Sequence, residues 1–555
     1  MSFLPTTKEE IKKRGWNQLD IVLITGDAYI DHPAFGAAVI GRILEDKGYR
    51  VGVIAMPDWR NPESIDALGK PGLFFGVTGG AVDSMLSKYT AFRRKRSDDP
   101  YRPGKTLFDR PDRSIITYCN LIKKKYKDVP IVIGGIEAST RRIAHYDYWS
   151  NKVRRSIIED SRADILVYGM GESQIINIAD NLSSGLKPDR IPGTVAISGE
   201  MPENAVVLPP EEKVMKDMNS FSDLYKIFYR NLRRTMVQEA GKRYIIHNPP
   251  TDKKSIDIDY IFSLPYMRLP HSYCKEPVGA FEMIKNSVIS HRGCFSGCSF
   301  CSLAIHQGKG ILSRSKASIT DEITRIAETP YFKGHINDIG GPSANMYAFD
   351  CKAGWKCDRE SCIFPDLCGN IRYGTSKWIN VLDRANSLDK VKIVTVGSGI
   401  RYDLFMKDPE GRYLLKPLVK SHISGQLKIA PEHTSKRVLR AMRKTPVYAL
   451  NEFVSEFRES TKRAGKKQYL LPYLMSCHPG CSYKDMVSAR KEISALFNFI
   501  PDQVQAFIPL PMTLSSVIYY TGRDPLTGEK FHSAKDMNER RRQHNIFFNQ
   551  SGKRS

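Results

Sequence analysis

Cys294, Cys298 and Cys301 stand in the string GCFSGCSFC, spaced C-x3-C-x2-C, directly after the apolar run 287–290. A loop this short can turn three thiolates onto one face of an iron–sulfur cluster, and soft sulfur ligands favour iron–sulfur or zinc over hard-oxygen metals. The count of three matters. A structural cubane takes four cysteines, so a cluster held by three leaves one iron open for a substrate or cofactor. A zinc loop and reduced structural thiols are the competing readings of the same string.

A second group follows: Cys351, Cys357, Cys362 and Cys368, in CKAGWKCDRESCIFPDLC. Four thiols within eighteen residues can close on one tetrahedral ion or on a second cluster, and so tie down a loop too polar to pack alone. The spacings x5, x4 and x5 match no zinc ribbon. A metal site, auxiliary iron–sulfur or zinc, is favoured over free thiols. Cys477 and Cys481 flank an HPG triplet and read as independent buried or reactive thiols.

The elements that position these groups form two βα series. The first has apolar runs at 19–25, 50–55, 73–77, 131–134 and 165–168, which read as buried strands of a doubly wound parallel sheet. Helix periodicity over 36–47 ends at Gly48, as a helix should. Ligands in such sheets sit beyond the carboxyl ends of the strands, which places Gly26, Asp27, Asp31, His32, Gly79 and Gly80 around one crevice. Each of these residue types also serves ordinary turns. Residues 1–210 are therefore read as a Rossmann- or flavodoxin-like domain, and 211–284 as a helical connector with a Pro-rich loop at 247–254.

The second series occupies 285–521, with the Cys-rich insertion at 351–368. Its strands are expected at 287–291, 336–340, 392–397, 426–430, 468–476 and 503–508, six βα units that suit an open partial barrel better than a closed eight-stranded one. Site residues of a barrel lie at the carboxyl ends of its strands. The second strand ends in IGGPS, where Gly340 and Gly341 expose backbone groups able to bind an amino acid's ammonium. The third ends in GSGIR, with the hydroxyl of Ser398 and the guanidinium of Arg401. The fourth ends at Pro431, Glu432 and His433, and the carboxylate of Glu432 suits a bidentate grip on ribose hydroxyls; N-capping by Thr434 or Ser435 is the competing account of that segment's polarity. The tail 522–555 is basic, turn-rich and expected to be loosely ordered in large part.

Composition bounds the class. The chain has 555 residues, 41% hydrophobic and 26% charged, values of a large globular protein with two or three domains. No apolar run approaches a bilayer span and the first residues lack a secretory core, so the cytosol is the expected compartment. Eleven clustered cysteines fit metal chemistry in a reducing compartment. The net charge of +24, concentrated in the runs 93–96, 123–127, 141–142 and 540–542, permits binding to RNA but equally describes a solvated surface.

Taken in order, GDAYIDHPAFGAAVIGR, GVIAMPDWR, the three-cysteine loop with Phe300 before its last cysteine, IGGPSANMY, SGIRYD, LKIAPEHTS, SCHPGC and QVQAFIPLPMT resemble the YgiQ-like (UPF0313-type) family of radical S-adenosylmethionine (SAM) proteins over nearly the whole chain. The resemblance implies a partial (β/α)6 barrel behind an N-terminal cobalamin-binding-like sheet. It also implies a [4Fe-4S] cluster on Cys294, Cys298 and Cys301, SAM on the open iron, and contacts to SAM from Phe300, Gly340, Gly341, Ser398, Arg401 and Glu432. Reductive cleavage of SAM would release methionine and a 5′-deoxyadenosyl radical. A one-electron donor such as flavodoxin or ferredoxin is the implied partner. The barrel also resembles that of methylthiotransferases at PEHTSKRVLRAMRK, without their appended nucleic-acid-binding β-barrel. Cobalamin is less well supported. The D-x-H-x-x-G string that supplies a histidine to cobalt is absent, since Asp31 adjoins His32; histidine-off binding and a substrate-binding or vestigial domain both remain open. Two other classes stay in view, an RNA-associated modification or scaffold protein and an electron-transfer iron–sulfur protein.

Overall fold

The run IVLIT is buried at every position from Ile21 to Thr25, as a strand covered on both faces must be. This strand, β1 (Ile21–Thr25), is flanked by β2 (Val51–Ala55) and β3 (Phe74–Thr78), with β4 (Ile131–Gly134) and β5 (Ile165–Val167) beyond β3, all parallel. The order β2-β1-β3-β4-β5 is that of flavodoxin-like sheets, whose ligand site lies where the order reverses, at the ends of β1 and β3. The computed structural model describes residues 2–104, 108–252, 255 and 257–548. The chain divides into two compact units, Met1–Lys285 and Asn286–Ser555.

The segment 211–284, expected to be a connector, is different. Two of its runs, Met236–Ala240 and Arg243–His247, form an antiparallel hairpin around Gly241 at φ +63°. With β6 (Thr194–Ser198) and β7 (Val206–Leu208) these two, β8 and β9, complete a nine-stranded sheet. Charged Glu239 and Arg243, exposed beside the turn, mask the strand pattern in sequence. The Pro-rich stretch after this hairpin is described only in part, residues 253, 254 and 256 lying outside the described residues.

In the second unit the strands follow one another in sequence order, each parallel to the last. They are β10 (Ser287–Ile289), β11 (Asp338–Gly340), β12 (Ile393–Val394), β13 (Gln426–Glu432), β14 (Tyr469–Ser476) and β15 (Val504–Ala506). β10 pairs with β11, and His335–Ile336 with β12. A bridge from Ile400 to Ile429 carries the series to β13, which pairs with β14, and β14 with β15. Among the described residues no ladder joins β15 back to β10, so this is an open partial (β/α)6 barrel. Ile339, Val394, Leu427 and Ile429 pack under Ile323, Trp378, Leu418 and Phe453 of the surrounding helices.

The tail also departs from expectation. Met537–Asn545 is a helix, and Arg540 and Gln543 are fully buried. The Arg540 guanidinium donates to the carbonyl of Phe507, and Gln543 donates to that of Cys481 at 3.2 Å. Residues that read as surface charge thus cap the barrel's last strands; 549–555 lie outside the described residues. Arg141 and Arg142 are likewise buried. Two of the four basic runs therefore contribute less surface charge than their composition suggests. Among the described residues no helix is long and apolar enough to cross a membrane.

Candidate functional site

The three-cysteine loop leaves β10 and turns at Gly297, whose φ of +63° favours glycine. Its shape is fixed from outside. Cys294 donates its backbone N–H to Gly308 at 3.1 Å, Ser299 donates its own to Met442 at 3.1 Å, and the Ser299 hydroxyl donates to Ala441 at 2.6 Å. All three thiols are free and half-buried. Burial and the charge of Cys298 push the thiols of Cys294 and Cys301 up, the latter to about 12, which places the three within one electrostatic neighbourhood. The Arg401 guanidinium compensates. Its Nη1 lies 3.6 Å from the Cys298 sulfur, and Asp403 clamps its other face.

No three His, Cys, Asp or Glu side chains among the described residues converge as the ligands of a single ion would. Three soft thiolates on one short loop suit a cubane with one iron left open, each thiolate binding a different iron, whereas a structural zinc site takes four ligands. The donor set therefore fits an iron–sulfur cluster better than zinc.

The strand ends form a connected rim. Ser290 donates to the carbonyl of Gly340 through its backbone N–H at 2.7 Å and its hydroxyl at 3.1 Å, joining β10 to β11. Asp338 accepts from Gly397 N–H at 2.9 Å and from Ser398 N–H and hydroxyl, both at 3.0 Å, joining β11 to the turn after β12. A side chain on Gly340 would strike Asp338 Oδ2 at 2.5 Å, and one on Gly341 the His291 ring at 2.5 Å. The two glycines are thus needed for close packing of the rim, and the Gly340 carbonyl is already engaged. Asn345 holds Arg401 by its backbone at 2.8 and 3.0 Å.

Glu432 ends β13 at φ +68° and is half-buried. Burial pushes its carboxyl up, opposed by Lys444, 3.8 Å away, and Arg401. Lys444 also donates to Ala430 at 2.6 Å. Ser435 stands at the N-cap of the next helix, Lys436–Met442, but its side chain makes no capping bond, while His433 Nδ1 accepts from the backbone N–H groups of Thr434 and Ser435 at 2.9 and 3.0 Å. Phe300 sets its ring edge-on to His478 at 6.0 Å. His478 bonds Ser515 at 2.7 Å, which bonds Ser299 at 2.7 Å. Cys477 and Cys481 are buried, Cys481 lying 3.5 Å from His433 Nε2.

The structure thus gathers Cys294, Cys298, Cys301, Arg401 and Glu432, and links Gly340 to Ser398 through Asp338. Asp338, Asp403 and Lys444 escape sequence reasoning, as does the link from Ser299 through Ser515 to His478, the histidine of the HPG triplet at the end of the fifth strand. One signal lies in the backbone: Glu432, Cys477 and Met512, after successive strands, all adopt positive φ (68°, 63° and 61°), and strain of this kind concentrates at functional sites.

In the first unit, the crevice at the ends of β1 and β3 is filled by the chain itself. Arg110, 1% exposed, donates to Asp27 at 2.7 Å, to Asp99 at 3.2 Å and to the carbonyl of Gly79. Asp27 also accepts from Ala81 at 2.6 Å. A side chain on Gly26 would meet Arg110 Nη1 at 2.9 Å and one on Gly79 would meet Glu137 at 2.5 Å. Asp31 is paired with Arg42, and both ring nitrogens of His32 are engaged, by Ala34 N–H at 3.1 Å and Arg268 at 3.3 Å. Arg110→Met should cost about 3–5 kcal/mol, because it strands Asp27 as a buried unpaired carboxylate. Burial already holds that carboxyl above its unfolded value against the opposing charge of Arg110, and losing Arg110 raises it further, so protonation favours the native state and stability is lost as pH rises through the raised pKa. In denaturation midpoints the variant's deficit against the parent should be largest near neutrality and shrink toward acid; a deficit independent of pH would contradict this.

Residues 3–287 match the family described as Radical SAM N-terminal, and 502–549 match a domain of unknown function. A UPF0313 protein of Methanocella arvoryzae is 44% identical, the alignment covering 96% of this chain and 91% of that protein. A UPF0313 protein of Fusobacterium nucleatum is 42% identical over 98% of both chains. The chain belongs to the UPF0313 family of radical SAM-type proteins. Among solved structures, the UPF0313 chain is similar in fold to the radical SAM methyltransferase TsrM of Kitasatospora setae, with TM-score 0.51, 15% identity, and coverage of 89% of this chain and 75% of that one. That structure contains tryptophan substrate and a SAM analogue, and a second TsrM structure contains cobalamin and a [4Fe-4S] cluster.

Proposed function

We propose that this UPF0313 protein is a radical SAM enzyme that binds a [4Fe-4S] cluster on Cys294, Cys298 and Cys301 and cleaves SAM reductively to act on a further substrate. The observation that carries this reading is the pairing of three free thiols on one braced loop with a clamped guanidinium against the middle thiol. Cys294, Cys298 and Cys301 would hold the cluster, which would supply the single electron needed for reductive cleavage of SAM to methionine and a 5′-deoxyadenosyl radical. The chain's own part is to hold and exclude. Arg401 offsets thiolate charge, and Asp403 fixes its plane. Glu432, held in a strained conformation beside Lys444, is positioned to accept from ribose hydroxyls. Phe300 and His478 shield one side of the loop with apolar ring surface, which keeps water from a reactive species.

Cobalamin fits the first unit poorly. The crevice at the β1/β3 reversal is closed by Arg110, and His32 has no ring nitrogen to offer cobalt. No step is assigned to it. The RNA-associated reading loses support from the burial of Arg141, Arg142 and Arg540.

The test is anaerobic reconstitution of the whole protein with iron and sulfide, reduction by dithionite, and chromatography of the products. Slow formation of 5′-deoxyadenosine and methionine in equal amounts, without added substrate, is expected. Cluster reduction without any SAM cleavage would favour an electron carrier.

A further inference from the structure

We propose that Cys351, Cys357, Cys362 and Cys368 hold a second iron–sulfur cluster, ligated by the chain alone and wired to the three-cysteine loop for electron transfer. The wiring rests on the reading of that loop as a cluster site; the second metal site does not.

The loop is closed by its own backbone. Asp350–Cys351 pairs with Ile371–Arg372, so the two ends of the insertion meet. Within it, Lys352 donates to Asn370 at 2.8 Å, Cys368 to the Cys362 carbonyl at 2.8 Å and Ile371 to that of Cys368 at 3.1 Å. Cys362 and Cys351 are buried, Cys357 and Cys368 half-buried, and all four are free thiols. Closing a long polar loop costs entropy that its few apolar contacts offset only in part, and metal ligation is the usual supplement.

A cluster suits the loop better than zinc. A zinc ribbon brings its thiolates to one ion from short paired spacings, whereas this loop spaces its four by x5, x4 and x5, and a cubane takes its ligands on separate irons. The local charge agrees. Lys309 places its ammonium 3.0 Å from the Cys357 sulfur, anchored by the carbonyls of Arg359 at 2.6 Å and Cys357 at 3.4 Å. A fixed cation of this kind offsets the excess negative charge of a four-thiolate cluster and raises its potential.

The two loops touch through residues that adjoin their ligands. Cys362 donates its N–H to the carbonyl of Phe295, the neighbour of Cys294, at 2.9 Å. Ser361 donates its hydroxyl to Ser296, and Gly297 lies so close that a Cβ there would meet that of Ser361 at 2.8 Å. Phe295 and Cys362 share one apolar cluster, with Cys294 and Cys368 packed against it. One electron would pass from a low-potential donor of the flavodoxin or ferredoxin class, which is oxidised, to the second cluster, and from there to the cluster on the triad. No bond is made or broken in either transfer.

The experiment uses the full chain, reconstituted anaerobically with iron and sulfide. With Cys294, Cys298 and Cys301 all replaced by alanine, about four irons and four sulfides per chain should remain, with a reduced EPR signal that SAM leaves unchanged. With Cys351, Cys357, Cys362 and Cys368 replaced instead, the remaining signal should respond to SAM. The parent should show both signals with spin–spin splitting that neither variant has. Stoichiometric zinc, or no metal, in the first variant overturns the second cluster; two signals without splitting overturn the wiring. Lys309→Gln keeps every cysteine and guards against a folding failure: iron content should hold while the second cluster's midpoint potential moves negative and the SAM-responsive one stays. An unmoved second potential overturns the placement of Lys309. If no signal in the parent responds to SAM, the proposed function fails whatever the first variant retains.

Discussion

Replacing Cys294, Cys298 and Cys301 together by alanine is expected to reduce SAM cleavage below detection, at least a thousandfold, with the SAM-responsive EPR signal gone. The magnitude follows from the chemistry, since no side chain of the barrel can supply the electron that the sulfonium needs. The fold should survive. The loop is held by backbone bonds from Cys294 to Gly308 and from Ser299 to Met442, and by the Ser299 hydroxyl on Ala441, none of which uses a sulfur atom. Far-UV circular dichroism matching the parent, with cleavage absent, is the expected pair of results. Persistent 5′-deoxyadenosine formation in the triple variant would show that the triad is not the site of reduction. Single replacement of each cysteine by serine should lose activity nearly as far, because the hydroxyl is not ionised at neutral pH and is a hard donor where the cluster takes soft sulfur.

The triad was legible because its information is local: a spacing of C-x3-C-x2-C limits where three sulfurs can go whatever surrounds them. The same is true of the strand-end strings, which place Ser398, Arg401 and Glu432 on the rim before any neighbour is known. Asp338 was not legible. Its three hydrogen bonds all go to Gly397 and Ser398, and nothing in the sequence around it signals that partnership. Asp403 and Lys444 belong to the same class, since each bears on the site through its pairing with Arg401 or Glu432.

Where the reading of the fold erred, it took a residue's usual environment for its actual one. The hairpin Met236–Ala240 and Arg243–His247 sits at the far side of a large sheet, where antiparallel strands need not be uniformly apolar. Arg141 and Arg540 are buried because each finds a carboxylate or carbonyl partner: Asp83 and Phe507. A charged side chain in a basic run gives no hint of such a partner, so composition overstated both the free tail and the exposed charge.

Glu432→Gln should raise the dissociation constant for SAM about tenfold or more while leaving iron content unchanged. Hydrogen bonds from hydroxyls to a carboxylate are worth about 1.5–3 kcal/mol, and about 1.4 kcal/mol is a factor of ten. The substitution preserves shape, so the left-handed backbone at φ +68° is asked of a side chain of nearly the same size. It does remove the anion facing Lys444. That ammonium keeps its bond to Ala430 at 2.6 Å, which limits the structural cost and leaves the ribose contact as the main loss. Burial pushes the Glu432 carboxyl above the ordinary range, so in the parent protein SAM affinity should begin to fall at a higher pH than an exposed glutamate would dictate. The variant, with nothing to protonate at this position, should lack that part of the acid limb. Equal affinity for parent and variant at full iron content, across the pH range, would remove Glu432 from the SAM site and return its strained backbone to a purely structural role.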